Sequence, residues 1–490
     1  TEGALQATEQ AFIAAQQLQD QGLEAFLLQC RAAWNLMGDD PDEALPDAKR
    51  ALALVRKLNA GPLSEASAAR TLVCAHFAQK QAAEALQVAK DDLQLLQRSA
   101  DRCAEAMVLE TLLYAHIANG DVDDALSYSH MARAAYRSAA MWHKESLMLR
   151  TAASLQLQAL DIHSAALSVG DALSLSEELN VGWEQGSAWL QLAYVRQANG
   201  DLPGAIAAAE QAESLFQQDG DSRGEGVALL AVADAQAALG DARAAASDAS
   251  RALNRFQEAG DARGKAQSLT ALCEAQAADG NFDAALQTAV LARDSWEDLY
   301  EGPAQAPALL AAAHACIEQA DADMPNELQS VSDQRVAEAL SYSGEAVAVC
   351  REDEEGNKEL LSQSLSMLAQ ALLLDGRPDE ALENLEEALS LFREAKDLAC
   401  EAETLCIASR AHTVQRNNEA ARLAANDACE LCRQLGDRQL EAQATALLRA
   451  CGGLTEKEQA SAWIVQSSSD QPLLKAQSTP ATLVRNVKPP

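Results

Sequence analysis

The sequence predicts an all-α protein, an α-solenoid in which helix–turn–helix hairpins stack one on the next. A phrase of about forty residues recurs along nearly the whole chain, as in NGDLPGAIAAAEQAESLFQQDG (199–220) and LGDARAAASDASRALNRFQEAG (239–260). Both of these copies open with Gly-Asp, carry alanines at a fixed spacing and end in an aromatic residue before the next Gly-Asp. No sustained stretch alternates apolar and polar residues with the period of two that indicates a strand.

One alanine, which we call the anchor, holds the same position in every copy. The anchors are Ala4, Ala44, Ala85, Ala125, Ala165, Ala205, Ala245, Ala285, Ala339, Ala381 and Ala421. A second alanine follows seven residues later in each copy except the third, where the position is Asp92. An aromatic residue often stands four residues further on, as at Tyr136, Phe216, Phe256, Trp296 and Phe392. These spacings share one helix face, where alanine lets a neighbouring helix approach and the aromatic ring fills the wider gap.

Each copy also contains an earlier amphipathic run, upstream of the anchor, that predicts a first helix. Examples are 187–198 (SAWLQLAYVRQA) and 227–238 (VALLAVADAQAA). Gly-Asp separates the two helices, because glycine suits the C′ position after one helix and aspartate suits the N-cap of the next. A single hairpin of this kind cannot bury its apolar faces, whereas stacked copies can.

Taken in order, the copies predict one repeat array over 1–451. Residues 2–19 form a second helix without its partner, and ten full hairpins follow, ending with a helix at 418–433. A further first helix is expected over 439–451. The chain begins in the middle of a repeat, so we expect either a removed leader or an upstream segment, and an organelle address stays open.

The array is interrupted near its eighth hairpin. The anchors Ala285 and Ala339 are 54 residues apart, which places an acidic, polar insertion near 320–333, between the two helices of that hairpin. The densest charge run of the protein, REDEEGNKE at 351–359, follows the hairpin. A solvated loop and a solvated turn are the favoured interpretation, and a protruding acidic contact site is the alternative.

Two segments follow the array. Thr455 and Glu458 form a capping box that opens a short capping helix within 452–465. Residues 466–490 are rich in Ser, Pro and Gln and are expected to form a flexible, mildly basic tail.

The composition limits the classes of partner. A formal net charge of −35 argues against nucleic acid and anionic membrane surfaces, which attract clustered Lys and Arg. A basic partner is the natural complement, although acidity also serves solubility. Eleven cysteines occur without a secreted-type framework, which favours the cytoplasm or another reducing compartment. No stretch is long and apolar enough to predict a membrane span.

The residues that commonly carry chemistry fit helix packing. The single CxxC, Cys429 and Cys432, lacks the second pair of a zinc site and the strand–helix setting of a redox motif, so we predict neither zinc nor an obligatory disulfide. His76, His116 and His412 share one position in the repeat and are interpreted as polar packing. No phosphate-binding, nucleophile-elbow, zinc-protease or dinucleotide motif occurs, so no cofactor is predicted.

The residues resemble the tetratricopeptide-repeat (TPR) family. Trp189, Leu192, Ala193, Ala205 and Ala212 fall at the spacing of the TPR signature. The forty-residue period, with Arg following the second Gly-Asp, looks most like the longer repeats of the Pins/LGN scaffold proteins. The resemblance covers roughly 1–451 and implies a right-handed superhelix of hairpins.

The resemblance also implies where a partner lies. TPR ligands run along the first helices, at positions that here fall 15 and 11 residues before each anchor, and we call these positions the groove face. The candidate partner-binding residues are Arg70, Glu110, Tyr114, Arg150, Leu190, Tyr194, Leu230, Asp234, Glu274, Gln370 and Arg410, and Cys74, Ser154, Thr270, Ser366 and Cys406 complete the set. The Asn residues of chaperone-binding and Pins/LGN repeats are missing, so the resemblance predicts a fold and no particular partner.

These observations predict a non-enzymatic scaffold that binds a peptide or protein segment along its groove. A structural subunit held by its ends and convex face, or the regulatory array of a larger multidomain protein, are the alternatives. Asp234 and Glu274 hold the same position in adjacent copies, about 10 Å apart, so a segment with Lys or Arg three residues apart would pair with both. Leu190, Tyr194 and Leu230 are expected to add apolar contact, and the chain's own basic tail is a possible competitor.

Overall fold

The computed structural model of the chain describes residues 2–38, 40–96, 101–299, 302–323, 329–352, 357–436 and 438–451. These residues form twenty-two α-helices and one short 3-10 helix, and no strand occurs among them. The predicted fold class, an all-α solenoid of helical hairpins, is confirmed. The predicted capping helix (452–465) and tail (466–490) lie outside the described residues. Two compact units divide the chain, with the boundary in sequence between Asp219 and Gly220.

Unit 1 contains one lone helix followed by five hairpins. Its helices are α1 (Glu2–Leu18), α2 (Gln21–Met37), α3 (Pro41–Leu58), α4 (Pro62–Ala78), α5 (Ala82–Leu96), α6 (Arg102–Ala118), α7 (Val122–Ser138), α8 (Trp142–Gln158), α9 (Ile162–Leu179), α10 (Gly182–Ala198) and α11 (Leu202–Asp219). Each even-numbered helix pairs with the next odd-numbered one to form a hairpin. α1 is the predicted second helix without its partner.

Unit 2 contains five hairpins followed by one lone helix. Its helices are α12 (Ser222–Leu239), α13 (Ala242–Ala259), α14 (Ala262–Ala278), α15 (Phe282–Glu297), α16 (Ala306–Asp323), α17 (Gln329–Glu352), α18 (Lys358–Leu374), α19 (Pro378–Ala395), α20 (Leu398–Val414), α21 (Asn418–Leu435) and α22 (Arg438–Cys451). The 3-10 helix Gly302–Gln305 precedes α16. None of the described helices is long and apolar enough to cross a membrane.

The anchors form the core of the stack. Every anchor from Ala44 to Ala421 is at most 1% exposed, and Ala4 in the lone helix α1 is half-buried. The aromatic residues of the repeat are buried as well, with Phe256 only 1% exposed. Asp92, which replaces the second alanine, is fully buried and accepts a hydrogen bond of 2.7 Å from Arg56. The predicted inward face of the second helices is confirmed.

The Gly-Asp turns behave as predicted. Gly240 and Gly260 end α12 and α13 in the left-handed conformation, with φ of 89° and 68°, which glycine adopts without a steric penalty. Asp241 and Asp261 then cap the next helices, since each side chain accepts a hydrogen bond from a backbone N–H of the first turn.

An ion pair that the sequence analysis missed recurs between consecutive hairpins. An arginine twelve residues after the anchor reaches a glutamate in the first turns of the next hairpin. The pairs are Arg56–Glu65 at 2.6 Å, Arg137–Glu145 at 2.8 Å, Arg393–Glu401 at 2.6 Å and Arg433–Glu441 at 2.9 Å. We call this pair the Arg–Glu clasp. Because the arginines are largely exposed, each clasp contributes only ~0.2–1 kcal/mol.

The insertion expected as a solvated loop near 320–333 is largely helical, which corrects that expectation. α16 continues to Asp323 and α17 begins at Gln329, so that α17 is 24 residues long. Residues 324–328 between them lie outside the described part. The segment contains one residue that a helix interior does not accept, Pro325, and good helix formers such as Glu and Leu follow it. Longer helices therefore take up most of the additional length.

The charge run at 351–359 joins α17 to α18, and four residues in its middle lie outside the described part. Its two described cations pair with carboxylates of α19. Arg351 lies 2.7 Å from Glu387, and Lys358 lies 2.7 Å from Glu394. These exposed pairs are consistent with a solvated turn.

Replacing Ala245 with leucine should lower the free energy of unfolding by ~1–3 kcal/mol, because the added atoms overpack a contact between helices. Ala245 is 1% exposed. The midpoint of urea denaturation measures the effect. Ala207→Leu is the matched control, since it makes the same change at an exposed position of the second helix α11 and should leave the midpoint nearly unchanged. An Ala245→Leu midpoint equal to that of the wild type would contradict the assignment of the anchor.

Candidate protein-binding face

The groove face runs along first helices that contact one another within each unit. In unit 2, α14 contacts α12 and α16, and the series continues through α18 and α20 to α22. In unit 1, α4 contacts α2 and α6, and α8 contacts α10. Because neighbouring helices crowd this face, most of its residues are less exposed than predicted. Arg70, Cys74 and Glu274 are exposed, Glu110, Leu230 and Cys406 are buried, and the other predicted residues, Leu190 and Tyr194 among them, are half-buried.

Glu110 is a buried member of an ion pair and not the open contact that the prediction assumed. Lys144 Nζ lies 2.8 Å from one carboxylate oxygen of Glu110 and 3.2 Å from the other. The hydroxyl of Tyr136 donates a hydrogen bond to the same carboxylate. Burial and then the charge of Glu110 raise the pKa of Tyr136, so the phenol stays a donor. Glu110 therefore holds α6, α7 and α8 together.

Unit 1 presents cationic and phenolic groups on the groove face. Arg150 has an Nε without a hydrogen-bond partner among the described residues, and burial lowers its pKa while the charge of Glu184 opposes that shift. On α6, burial followed by the charge of Glu110 raises the pKa of Tyr114 to about 12. The charges of Arg70 and Arg150 both act on Tyr114, so these three residues lie near one another.

Unit 2 carries two neighbouring carboxyl groups without a partner. Asp234 on α12 and Glu274 on α14 form no hydrogen bond or ion pair with any described residue. Surrounding protein raises the pKa of Asp234 to about 7 and is the sole cause of that shift. The same crowding, and then the charge of Asp234, raises the pKa of Glu274. Glu274 is nevertheless exposed to water, so the pair lies where protein surrounds it and solvent still enters.

Leu310 and His314 hold the groove-face positions of α16, which the sequence analysis missed. Leu310 and His314 follow Thr270 and Glu274 by forty residues. Because the insertion displaces the next anchor to Ala339, counting 15 and 11 residues back from that anchor does not reach them. Counting forward from Glu274 finds both. His314 is 3% exposed, burial lowers its pKa to about 4, and its Nε2 has no hydrogen-bond partner and lies 3.7 Å from Glu318.

Gln370 and Arg410 are half-buried on α18 and α20, and buried thiols lie near Arg410. Cys406, Cys429 and Cys432 belong to one apolar core. Burial, followed by the neighbouring thiols, raises the pKa of Cys406 to about 12, which disfavours the thiolate that binds metals or attacks substrates. Helix packing remains the interpretation of CELC, and the absence of zinc and of an obligatory disulfide remains a prediction for elemental analysis and thiol titration.

His116 belongs to the one cluster among the described residues whose ligand atoms are close enough for a metal ion. Its ligand atoms and those of Asp121 and Asp124 lie within 4.8 Å of one another. His116 Nδ1 lies 3.2 Å from Asp121. His76, at the same position of the preceding hairpin, makes the equivalent contact at 2.7 Å to Gln81, an uncharged residue. The repeated geometry ties each first helix to its turn and favours polar packing for both histidines.

The pair Asp234 and Glu274 predicts a pH-dependent stability. Their folded pKa values are raised above the ordinary 3.8 and 4.5, so the folded state holds protons that the unfolded state releases. This contribution is complete below about pH 4 and is lost as the pH rises through about 7–8. His314 stays neutral in the folded protein above about pH 5, because its pKa is lowered to about 4. The urea midpoint of an Asp234→Asn, Glu274→Gln variant should therefore increase relative to that of the wild type as the pH is raised from about 5 to about 8. If the difference between the two midpoints does not vary with pH, the surrounding protein does not raise the pKa values of Asp234 and Glu274.

A family profile described as the tetratricopeptide repeat matches residues 332–394, which include most of α17, all of α18 and most of α19. No curated protein matches the sequence. The tetratricopeptide assignment agrees with the hairpins of both units, while the closer resemblance to Pins/LGN proteins stays a prediction.

Several solved structures are similar to the chain at low identity. Aspartyl phosphate phosphatase F from Bacillus subtilis is 11% identical, with 74% of this chain and 92% of that chain covered and a TM-score of 0.48. A signal transduction ATPase with a tetratricopeptide repeat sensor from Pyrococcus horikoshii is 13% identical, with coverage of 72% and 54% and a TM-score of 0.48. BtubC from P. vanneervenii is 16% identical, with coverage of 45% and 92% and a TM-score of 0.41.

Proposed function

We propose, from the premise that this chain is a tetratricopeptide-repeat protein, that it is a non-enzymatic scaffold whose groove face binds a basic segment of a partner protein. The observation that carries this proposal is the unpartnered pair Asp234 and Glu274 on adjacent first helices. Removing a carboxylate from water without giving it a counter-ion or a hydrogen bond costs free energy. A cationic side chain of a partner protein reduces that cost by pairing with the carboxylate.

Apolar contact supplies the rest of the proposed recognition. Leu230 and Leu310 lie one helical turn before Asp234 and His314, and each is 8% exposed, so each offers a small apolar surface beside a polar group. A partner segment with Lys or Arg three residues apart spans neighbouring first helices, since an extended chain advances about 10 Å in three residues. Each ion pair adds only ~0.2–1 kcal/mol where solvent enters.

The test begins with the natural partner, identified by co-purification with the full chain. Its affinity for an Asp234→Lys, Glu274→Lys variant should fall at least about fivefold at low salt and by less at moderate salt. A Glu383→Lys, Glu386→Lys variant is the matched control, since it makes the same charge change at exposed positions of the second helix α19. Equal affinity of the first variant and the wild type at both salt levels would exclude the groove face as the contact.

A structural subunit of a larger assembly is the second candidate. It is favoured by exposed apolar side chains in α1 and α2, where Ile13 is 50%, Leu18 75% and Phe26 60% exposed. Exposed apolar side chains on two consecutive helices favour a protein contact. If this candidate is correct, an Ile13→Ser, Phe26→Ser variant should no longer co-purify with the assembly, whereas the Asp234→Lys, Glu274→Lys variant should still do so.

A further inference from the structure

We propose that the groove face of unit 1, from α4 to α8, binds an acidic segment of a partner protein through Arg70 and Arg150. The inference goes beyond the proposed function, because it concerns the other unit and a ligand of the opposite charge. It adds a second binding surface, for carboxylate side chains, to the one that Asp234 and Glu274 provide for a basic segment.

Arg150 is a cation with an unsatisfied donor. It is half-buried on α8, and its Nε is buried without a hydrogen-bond partner among the described residues. Buried polar atoms are normally hydrogen-bonded, so this N–H group lacks an acceptor. A carboxylate is the group that matches a guanidinium best, because it accepts two hydrogen bonds from it and also neutralises its charge.

The neighbouring carboxylates of unit 1 have other partners. The charge of Glu184 acts on Arg150, yet Oε1 of Glu184 lies 3.1 Å from Nδ1 of His143, and its Oε2 is buried without a hydrogen-bond partner among the described residues. Glu110 lies 2.8 Å from Nζ of Lys144. Neither carboxylate therefore supplies the acceptor that Nε of Arg150 lacks.

Tyr114 links Arg70 and Arg150 into one face. Tyr114 of α6 is hydrogen-bonded to Thr151, the residue that follows Arg150 on α8. The charges of Arg70 and Arg150 both act on Tyr114, and α6 contacts α4. Arg70 is exposed and forms no hydrogen bond or ion pair with a described residue. Two cations therefore flank a half-buried phenol, which suits a segment with acidic residues on either side of apolar ones.

The spacing of the two cations sets the spacing of the acidic residues. From α4 to α8 there are two steps between first helices, which corresponds to about 16–20 Å at 8–10 Å a step. An extended segment covers that distance in about six residues, and residues six apart point to the same side of the chain. Leu190 and Tyr194 are half-buried on α10, which contacts α8, and they offer apolar contact beyond Arg150.

A synthetic peptide tests this surface on the full chain. The probe is a rhodamine-labelled peptide in which two glutamates six residues apart enclose alternating serine and leucine, and its control carries glutamine in place of both glutamates. Fluorescence anisotropy at low salt should show at least about fivefold tighter binding of the glutamate peptide. The net charge of −35 by itself favours the neutral peptide, so equal or reversed affinities would overturn the inference.

An Arg70→Gln, Arg150→Gln variant assigns the binding to these two residues. Its affinity for the glutamate peptide should fall at least about fivefold at low salt and by less at moderate salt. Lys49→Gln, Lys90→Gln is the matched control, since it removes the same charge at exposed positions of the second helices α3 and α5. Equal losses in the two variants would overturn the inference, because net charge alone would then attract the peptide.

Arg70 keeps the test informative if Arg150 also contributes to folding. Because Arg70 is exposed, Arg70→Gln should lower the affinity about twofold and leave the urea midpoint unchanged. An Arg150→Gln variant that is less stable but binds the peptide as the wild type does would mean that Arg150 pairs with Glu184 within the chain. That result would also overturn the inference.

The two proposals fail in different ways. If the glutamate peptide does not bind but the Asp234→Lys, Glu274→Lys variant loses its partner, the inference for unit 1 is wrong and the proposed function stands. If the peptide binds as expected while that variant keeps its partner with unchanged affinity, the proposed function is wrong and the inference for unit 1 stands.

Discussion

Replacing Gly264 with alanine should lower the free energy of unfolding by about 3 kcal/mol, at the upper end of the usual cost of overpacking. A Cβ built on Gly264 lies 2.2 Å from Cδ1 of Phe256 and 2.4 Å from its Cε1, so the ring must move. The ring has little room to move, because Gly226 of α12 is also close to it. A Cβ built on Gly226 would lie 2.9 Å from Cε2 of Phe256. Phe256 is held by the core that includes Leu229 and Leu230.

The urea midpoint and hydrogen exchange in α13 and α14 measure this effect. Gly344→Ala is the matched control in the same unit, because it also lies within a helix and a Cβ there meets nothing within 4 Å. Alanine is the better helix former, so the control should be neutral or slightly more stable. Equal midpoints for the two variants would show that Phe256 adapts without cost.

Replacing Lys144 with methionine should cost about 1–3 kcal/mol, because it leaves the buried carboxylate of Glu110 without its cation, while the partial exposure of Lys144 keeps the loss below that of a fully buried ion pair. Glu110 is 4% exposed, and Lys144 supplies the only cation within hydrogen-bond distance of it among the described residues. The hydroxyl of Tyr136 alone then remains to balance the carboxylate. Thermal and urea denaturation measure the loss.

Two further variants separate charge from packing in this prediction. Lys144→Arg keeps the cation and should retain most of the stability. Adding Glu110→Gln to Lys144→Met removes the stranded charge while the amide still accepts from Tyr136, so the double variant should be more stable than the single one. A double variant that is no more stable would mean that packing, and not the uncompensated charge, sets the cost.

The architecture was largely predictable because its determinants are local and repeated. Ala205 and Ala245 identify the buried face by spacing alone, and Gly240 with Asp241 identifies a turn by the conformation that each residue prefers. The insertion was less predictable, since the same residues suit a loop or a longer helix and only Pro325 is decisive.

The candidate site was less predictable because exposure depends on neighbours distant in sequence. Glu110 and Arg70 hold the same position of the repeat, yet Glu110 is buried because Lys144 and Tyr136 reach it from later helices. His314 was missed because a displaced anchor broke the count. The binding roles of the groove-face residues remain proposals.

The Arg–Glu clasp makes two successive junctions near the end of unit 2 equivalent. Arg393 precedes Glu401 by eight residues, and Arg433 precedes Glu441 by the same number, in positions forty residues apart. Deleting 397–436 would place Glu441 eight residues after Arg393. The same type of ion pair could then form between two residues that are not paired in the present chain. We therefore expect the gene to tolerate an in-frame loss or duplication of this one hairpin, which would change the length of the array and leave the type of junction unchanged.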